Sequence, residues 1–262
     1  MTLDERLWKN FNKALGQYQL IDENDKILIG LSGGKDSLLL LEFLARRSRI
    51  LKPRFSIEAL HVRMENVNYE TDTSYLQHFC NQLAVPLHII TTRFSATPTV
   101  PITAPTPATT PTPATTPDDS PSGTSKKPPC FLCSWQRRKQ LFNLAQELGC
   151  TKIALGHHQD DIIHTALMNL TFQGHFSTMP VKLRMKKMPL TIIRPLCLCH
   201  ESDIRAYVEQ QGYEKQLKQC PYEKTTNRTT AGLLFAHFQQ LNAEARHSIW
   251  RALEADGKLI EY

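Results

Sequence analysis

The chain has 262 residues, 41% of them hydrophobic, and carries a formal net charge of +6 at pH 7. This length and apolar content suffice for one large α/β domain with its own core, and the moderate basic excess is consistent with nucleic-acid binding without requiring it. No stretch approaches the roughly 20 apolar residues that cross a bilayer, and no secretion signal opens the chain. A soluble, cytoplasmic protein is therefore expected.

The predicted elements alternate between strands and helices after an amphipathic first helix, Met1 to Lys13. This alternation predicts a doubly wound, parallel α/β sheet of the adenine nucleotide alpha hydrolase type. The predicted elements are, in chain order, strand Lys26–Leu31, helix Leu38–Arg47, strand Phe55–Val62, helix Thr71–Leu83, strand Leu87–Thr92, helix Gln136–Leu148, strand Lys152–Gly156, helix Asp160–Leu170, strand Thr191–Arg194 and helix Glu201–Gln211.

One segment breaks this alternation. Residues 95–129 contain ten of the sixteen prolines, with many Thr, Ser and Ala and almost no large apolar residue. Such a composition cannot bury enough surface to offset its ordering entropy, which predicts a disordered or polyproline-like insert. A tolerated surface insertion is favoured over a functional tether. The expected organisation is a single domain formed by residues 1–94 and 130–262.

Six residues between the first strand and its helix form a phosphate-binding motif, Ser32-Gly33-Gly34-Lys35-Asp36-Ser37. Small residues at this junction let backbone N–H groups converge on an anion at a helix N-terminus, and the two serines add hydroxyl donors. The spacing differs from that of a Walker A motif. The alternative is a glycine-rich turn that only caps the helix, but six specified residues in this context favour phosphate binding.

This motif resembles the PP-loop of N-type ATP pyrophosphatases, which split ATP between its α- and β-phosphates and adenylate an oxygen. The resemblance implies that Ser32, Gly33, Gly34, Asp36 and Ser37 hold the pyrophosphate end, with Lys35 alongside. It also implies that the end of the second strand, Leu60 to Met64, contacts adenine through its backbone, including His61 and Val62.

A second motif, Gly156-His157-His158-Gln159-Asp160-Asp161, follows the fourth predicted strand and opens a helix. It lies at the carboxyl edge of the sheet, where open α/β folds bind ligands. Asp160 and Asp161 can hold Mg²⁺ against phosphate oxygens, and Gly156 and His157 are candidates for nucleotide binding. The alternative is that the acids cap the helix and the histidines are ordinary loop residues.

The chain contains seven cysteines, an odd number that argues against a disulfide framework and predicts reduced thiols, some of them metal ligands. Cys130-Phe131-Leu132-Cys133 precedes a predicted helix, and this spacing lets two thiolates hold one metal or cluster. The residues alone leave open a redox pair, half a zinc site or unligated thiols. Cysteines 80 and 150 fit small, buried apolar positions.

Gly156 to Leu170, Met179-Pro180 and Ile193 to Leu196 resemble the tRNA 2-thiocytidine synthetase family, which thiolates a cytidine of the tRNA anticodon loop. The resemblance extends from about Leu3 to Leu234 outside the insert. It implies a 4Fe–4S cluster held by three cysteines with one iron lacking a protein ligand, the ligands here being Cys130, Cys133 and Cys220. Cys197 and Cys199 are rival ligands, but their place after a strand favours core packing.

The resemblance implies ATP and tRNA as substrates, Mg²⁺ as a cofactor, and a sulfur donor such as a cysteine desulfurase; a homodimer is also expected. Basic stretches at 137–139, 182–187 and 215–224 can neutralise RNA phosphates, although solvated surfaces explain each equally well. The cytidine C2 oxygen is expected to attack the α-phosphate, with sulfide then displacing AMP and Lys35 stabilising the departing pyrophosphate. Two alternatives stay open: a cluster-free ligase acting on another tRNA base, as in lysidine formation, and a non-catalytic nucleotide- and cluster-binding sensor.

Overall fold

The computed structural model describes residues 1–65, 67–69, 73–93, 129–214, 218–219 and 227–261. In these ranges the chain forms the helices α1 Leu3–Gln17, α2 Lys35–Ser48, α3 Ser74–Leu83, α4 Pro129–Glu147, α5 Gln159–Gln173, α6 Glu201–Gln210, α7 Asn227–Leu241 and α8 Ala245–Ala255. The strands are β1 Asp25–Gly30, β2 Phe55–Met64, β3 Asn68–Tyr69, β4 Leu87–Thr92, β5 Lys152–Ala154, β6 Lys182–Arg184, β7 Thr191–Ile193, β8 Lys218–Gln219 and β9 Ile260–Glu261.

Seven strands form the central sheet in the order β4-β2-β1-β5-β7-β6-β9. The pairs from β4 to β7 are parallel, β6 runs antiparallel to β7, and β9 runs parallel to β6. Strands added after β1 extend the sheet to one side through β2 and β4, and those from β5 onward extend it to the other. The order therefore reverses between β1 and β5, which confirms the doubly wound sheet and marks where such folds bind ligands.

Helices cover both faces of this sheet. The larger core joins α1, α2, α5, α6 and α8, and the consecutive residues Leu38 to Leu41 of α2 are all fully buried in it. A helix that is buried on all sides carries apolar residues on all sides, which explains this leucine run. The smaller core lies on the opposite face, where Leu144 and Ala145 of α4 pack with Leu28 and Leu60 of the sheet.

One sequence-based expectation needs revision, and several elements were not predicted. The Cys-x-x-Cys motif was expected to precede a helix, but α4 begins at Pro129 and includes Cys130 and Cys133 in its first turns. Proline is tolerated at the first position of a helix because the N–H group that it lacks would have no partner within the helix. The helix therefore begins at Pro129, the last residue of the insert. The helices α7 and α8 and the strands β3, β6, β8 and β9 were not predicted. The rest of the insert, residues 95–128, lies outside the described residues.

None of the helices in the described ranges combines the length and the apolar character that a membrane crossing requires.

Candidate active site

The PP-loop joins β1 to α2 at the carboxyl edge of the sheet. Gly33 has a φ of 81°, a left-handed conformation in which glycine carries no steric penalty. The hydroxyls of Ser32 and Ser37 lie 3.1 Å apart, and Ser37 Oγ donates to the Gly34 carbonyl at 2.9 Å. Within the described chain no side chain caps α2 at Gly34, so the loop presents a helix N-terminus suited to an anion.

Strand β2 supports this loop from one side. The Leu31 amide donates to the Leu60 carbonyl at 2.9 Å, and the Nδ1–H of buried His61 donates to the Leu31 carbonyl at 2.7 Å. Burial lowers the pKa of His61, so the ring is neutral and holds the residue before Ser32. His61 and Val62 therefore lie beside the PP-loop, although the expected adenine contact remains a prediction.

Gly156 supports the loop from the other side, because β5 pairs with β1 in the sheet. A Cβ placed on Gly156 would lie 2.9 Å from the Asp36 carbonyl carbon and 3.0 Å from the Ser37 nitrogen. Real Cβ atoms do not come so close to backbone, so only glycine allows the second motif to pack on the start of α2. Gly156 was predicted to bind the nucleotide, and the structure shows in addition that it packs against the backbone of Asp36 and Ser37.

His158 lies buried between three carboxylates. Its Nε2 is 3.8 Å from Asp36 Oδ1 and 3.6 Å from Asp161 Oδ2, and its Nδ1 is 3.7 Å from Asp160 Oδ2. The His158 backbone N–H donates to Asp161 Oδ2 at 3.1 Å, which caps the first turn of α5. The structure therefore brings the acid of the PP-loop and both acids of the second motif around one imidazole.

The two acids of the second motif differ in their partners. Asp160 Oδ1 accepts from Arg246 Nη2 at 2.6 Å, and Asp160 Oδ2 accepts from the Glu201 backbone N–H at 2.8 Å. Burial opposes ionisation of Asp160, but the bonds from Arg246 and Glu201 hold its pKa below the ordinary value. Asp160 thus joins three helices, α5, α6 and α8, at the sheet edge.

Lys35 lies between the PP-loop and α6. Its Nζ is 3.1 Å from Asp36 Oδ2 and 3.3 Å from Glu201 Oε1. The other oxygen of Asp36, Oδ1, is buried and accepts no hydrogen bond from the described residues. A buried carboxylate oxygen without such a partner is an available ligand position for a hard cation.

Arg194, which is buried, forms a pair with the half-buried His157. Arg194 Nε donates to His157 Nδ1 at 3.2 Å, and Arg194 Nη1 donates to the Pro180 carbonyl. Burial lowers the pKa of Arg194 to about 10, which still leaves the guanidinium charged at pH 7. His157 is therefore oriented by the Ile-Arg-Pro-Leu segment that the sequence analysis singled out.

The cysteine pair lies at the same sheet edge. A Cβ on Gly30, the last residue of β1, would lie 3.5 Å from Leu141 Cδ1, and α4 ends just before β5 begins. Residues that precede Leu141 in α4 therefore extend beyond the carboxyl edge, with Cys133 about 12 Å further along at ~1.5 Å per residue. Cys130 is exposed, and Cys133 is half-buried against the smaller core.

The remaining cysteines divide clearly. Cys197 and Cys199 are fully buried, and burial raises the pKa of both thiols, that of Cys199 to about 12. Neutral buried thiols are poor metal ligands, which agrees with the expected core packing. Cys80 and Cys150 are buried as predicted. Cys220 lies outside the described residues.

Among the residues that the structure describes, no group of three or more His, Cys, Asp and Glu side chains is arranged to hold a metal ion. A bound Mg²⁺ would therefore need oxygens from a substrate or water to complete its shell, as is usual for this ion. Both the Mg²⁺ site and the third cysteine ligand remain predictions.

Sequence reasoning assigned no role to Glu201 or Arg246, yet both contact the acids of the site. Glu201 follows the Ile-Arg-Pro-Leu segment at the start of a predicted helix, a position from which its proximity could have been inferred. Arg246 belongs to α8, 86 residues after Asp160, and no local pattern links the two.

Comparisons with known proteins agree with this geometry. A family model for the PP-loop domain matches residues 3–101. A tRNA-cytidine(32) 2-sulfurtransferase from Pseudomonas syringae pv. tomato is 31% identical over 99% of this chain and 89% of the relative. A protein of the same name from a Shewanella species is 34% identical over 84% of this chain and 61% of the relative.

Among solved structures, the U34-tRNA thiolase NcsA from Methanococcus maripaludis, which has a [4Fe-4S] cluster, superposes with a TM-score of 0.69. The match covers 97% of this chain and 78% of NcsA at 22% sequence identity, and shows that the two proteins share a fold. Because the Pseudomonas relative is similar over nearly its whole length, the chain belongs to the tRNA-cytidine(32) 2-sulfurtransferase family.

Proposed function

We propose that this protein is an ATP-dependent tRNA sulfurtransferase that replaces the C2 oxygen of cytidine 32, in the anticodon loop, with sulfur. The observation that supports the proposal is the combination of three features in one chain: the open helix N-terminus of the PP-loop, the acids around His158, and the pair Cys130 and Cys133 in the first turns of α4. An ATP pyrophosphatase that acts only as a ligase has no need for the third feature.

ATP binds with its β- and γ-phosphates on the backbone amides and hydroxyls of the PP-loop, where the α2 dipole favours negative charge. Lys35 reaches the same oxygens from its place between Asp36 and Glu201. The cytidine C2 oxygen attacks the α-phosphorus, the bond to pyrophosphate breaks, and the loop stabilises the charge that develops on the leaving group. Sulfide, as HS⁻, then adds to C2, the carbon–oxygen bond breaks to release AMP, and loss of the proton from sulfur leaves the C2=S bond.

Asp36 and Asp161 would hold Mg²⁺ against the phosphates. Asp36 Oδ1 fits this role because it is buried without a hydrogen bond from the described residues, and it faces His158 at 3.8 Å. Asp160, expected to share the ion, has both oxygens engaged by Arg246 and Glu201. We therefore infer that Asp160 positions the second motif while Asp36 and Asp161 supply the charge.

Cys130 and Cys133 would hold two positions of a 4Fe–4S cluster, and Cys220 a third. The described pair fits this role because the two cysteines lie about one helical turn apart, Cys130 is exposed, Cys133 is only half-buried, and Arg137 and Arg138 follow on the same helix. Bound there, such a cluster would supply the sulfur for the exchange. We further infer a cytoplasmic homodimer that receives its sulfur from a donor such as a cysteine desulfurase.

The test is anaerobic purification followed by iron and sulfide analysis, a pyrophosphate-release assay with tRNA, and mass analysis of the nucleosides. Wild type is expected to be brown, to release pyrophosphate only with tRNA and ATP, and to yield 2-thiocytidine. Cys130→Ser should lose iron and thiolation, whereas Cys199→Ser, which changes a buried core thiol, should keep both. A colourless, iron-free wild type would indicate a ligase, and ATP binding without pyrophosphate release would indicate a sensor.

A further inference from the structure

Helix α4 presents aromatic and basic side chains together on its outer side. Phe131 and Trp135 are 46% and 49% exposed, and Arg138 and Lys139 are exposed as well. Spacings of three and four residues place them on one side of the helix. The Lys139 ammonium lies 5.4 Å from the centre of the Trp135 ring, a cation–π contact. We name these four residues the aromatic–basic face.

This face lies next to the cysteine pair. Leu141 and Leu144 anchor the helix on the smaller core, and the turns before them extend past the carboxyl edge of the sheet. Phe131 is the chain neighbour of Cys130 in the first turn, whereas Cys133, at about 100° per residue, lies on the opposite side of the helix from Trp135. The aromatic–basic face therefore begins beside Cys130, the exposed member of the cysteine pair.

We propose that the aromatic–basic face stacks an unpaired tRNA nucleotide beside the one being modified; this inference rests on the proposed function and assigns it an RNA contact surface. A nucleotide that leaves its stack loses a few kcal/mol, and an aromatic ring offers a replacement for that stacking. Trp135 and Phe131 provide the rings, and Arg138 and Lys139 neutralise the flanking phosphates.

Charge makes RNA the favoured occupant. Helix α4 carries three consecutive cations at 137–139, and its first acidic residue is Glu147, at the far end. A protein partner that binds through the same apolar area would gain little from this excess of positive charge. RNA gains more, because its phosphates release bound counterions when Lys and Arg side chains neutralise them.

Trp135 is a built-in probe for this proposal. Of the three tryptophans, Trp250 is buried, and Trp8 is half-buried, stacked on Phe11 with centroids 5.4 Å apart. Titration of tRNA into the anaerobically purified protein is therefore expected to quench Trp135 emission and to protect it from iodide. Emission that stays accessible to iodide at saturating tRNA would overturn the proposal.

Substitutions separate stacking from electrostatics. Trp135→Ala should weaken tRNA binding about tenfold without changing its salt dependence, and Trp135→Phe should restore most of the affinity. Arg138→Gln and Lys139→Gln should each reduce the slope of log K against log salt by about one. Leu170→Ala is the matched control, because Leu170 on α5 is also 49% exposed but has no role in the face.

Thermal melting and ATP binding of Trp135→Ala show whether it is folded, since neither should change. If Trp135→Ala binds tRNA as tightly as wild type, or if its effect is a loss of self-association or of contact with residues 95–128, the inference is wrong. Failure of the proposed function has a different signature: wild type itself would neither thiolate nor release pyrophosphate with tRNA.

Discussion

Gly156 lies where the second motif packs on the start of α2. Gly156→Ala therefore tests whether this packing fixes the geometry of the PP-loop. The added methyl would lie 2.9 Å from the Asp36 carbonyl carbon and 3.0 Å from both the Asp36 oxygen and the Ser37 nitrogen. Carbon–carbon contacts are favourable at about 3.5–4.0 Å, so the loop and the motif must separate by about 0.5–1 Å. All three atoms are backbone, and no rotamer change can relieve the overlap.

Two measurements follow from that displacement. Overpacking of this kind costs about 1–3 kcal/mol, which for a protein of this size lowers the melting temperature by about 2–12 °C. The PP-loop moves by a similar distance from its bound geometry, so pyrophosphate release with ATP and tRNA should fall about 100-fold. Calorimetry measures the first effect and the coupled pyrophosphate assay the second.

Gly16→Ala is the matched control. Gly16 is in α1, and no heavy atom of the described chain lies within 4 Å of a Cβ placed there. Alanine is a better helix former by about 1 kcal/mol, so this variant should melt at the same or a higher temperature with normal activity. If Gly156→Ala melts lower but binds and cleaves ATP like wild type, packing at Gly156 does not shape the PP-loop and the reasoning fails.

Three further predictions concern the charges around the site. Arg246→Met should lower the free energy of unfolding, measured by urea titration, by about 3 kcal/mol, because it leaves the buried carboxylate of Asp160 unpaired. The control is Arg251→Met, an exposed change on the same helix, which should lower it by less than about 0.5 kcal/mol. The folded-state pKa of Asp160 is below its ordinary value of 3.8, so the ionised group stabilises the protein above that pH and loses its contribution as the pH falls further. The urea midpoints of wild type and Asp160→Asn should therefore differ at pH 7 and converge below about pH 4, and a constant difference down to pH 3 would contradict this assignment. Glu201→Gln should strengthen ATP binding about two- to fivefold by calorimetry, because a partly exposed pair worth about 0.2–1 kcal/mol no longer competes for Lys35; weaker binding would show that Glu201 helps to hold the nucleotide.

Local sequence predicted the features that depend on neighbouring residues. Strand β4, Leu87–Thr92, has its predicted bounds, and β1 and α2 flank the PP-loop as expected. The loop is predictable because its signals are close together in the sequence. The buried strand β1, the glycines Gly33 and Gly34 and the start of α2 all lie within about a dozen residues. The burial of Cys197 and Cys199 was also predictable, because both follow directly after a central strand.

Two features were missed, one for a local reason and one because it depends on distant residues. The start of α4 was placed seven residues late, because the proline-rich insert before it obscured a proline that begins a helix. Strand β6 was interpreted only as a basic stretch, and its place beside β7 comes from pairing across the sheet rather than from its own three residues.

The sequence by itself determined the chemistry available to this protein: a phosphate loop after one strand, paired acids after another and a cysteine pair in a third segment. Only the tertiary structure decided how those groups are used. It engages both oxygens of Asp160 with Arg246 and Glu201 and leaves Asp36 Oδ1 without a hydrogen bond from the described residues. The physical reason is that residue identity and short-range spacing specify a loop, whereas the partner of a buried charge is fixed by packing between elements far apart in the chain, as α8 on α5 shows.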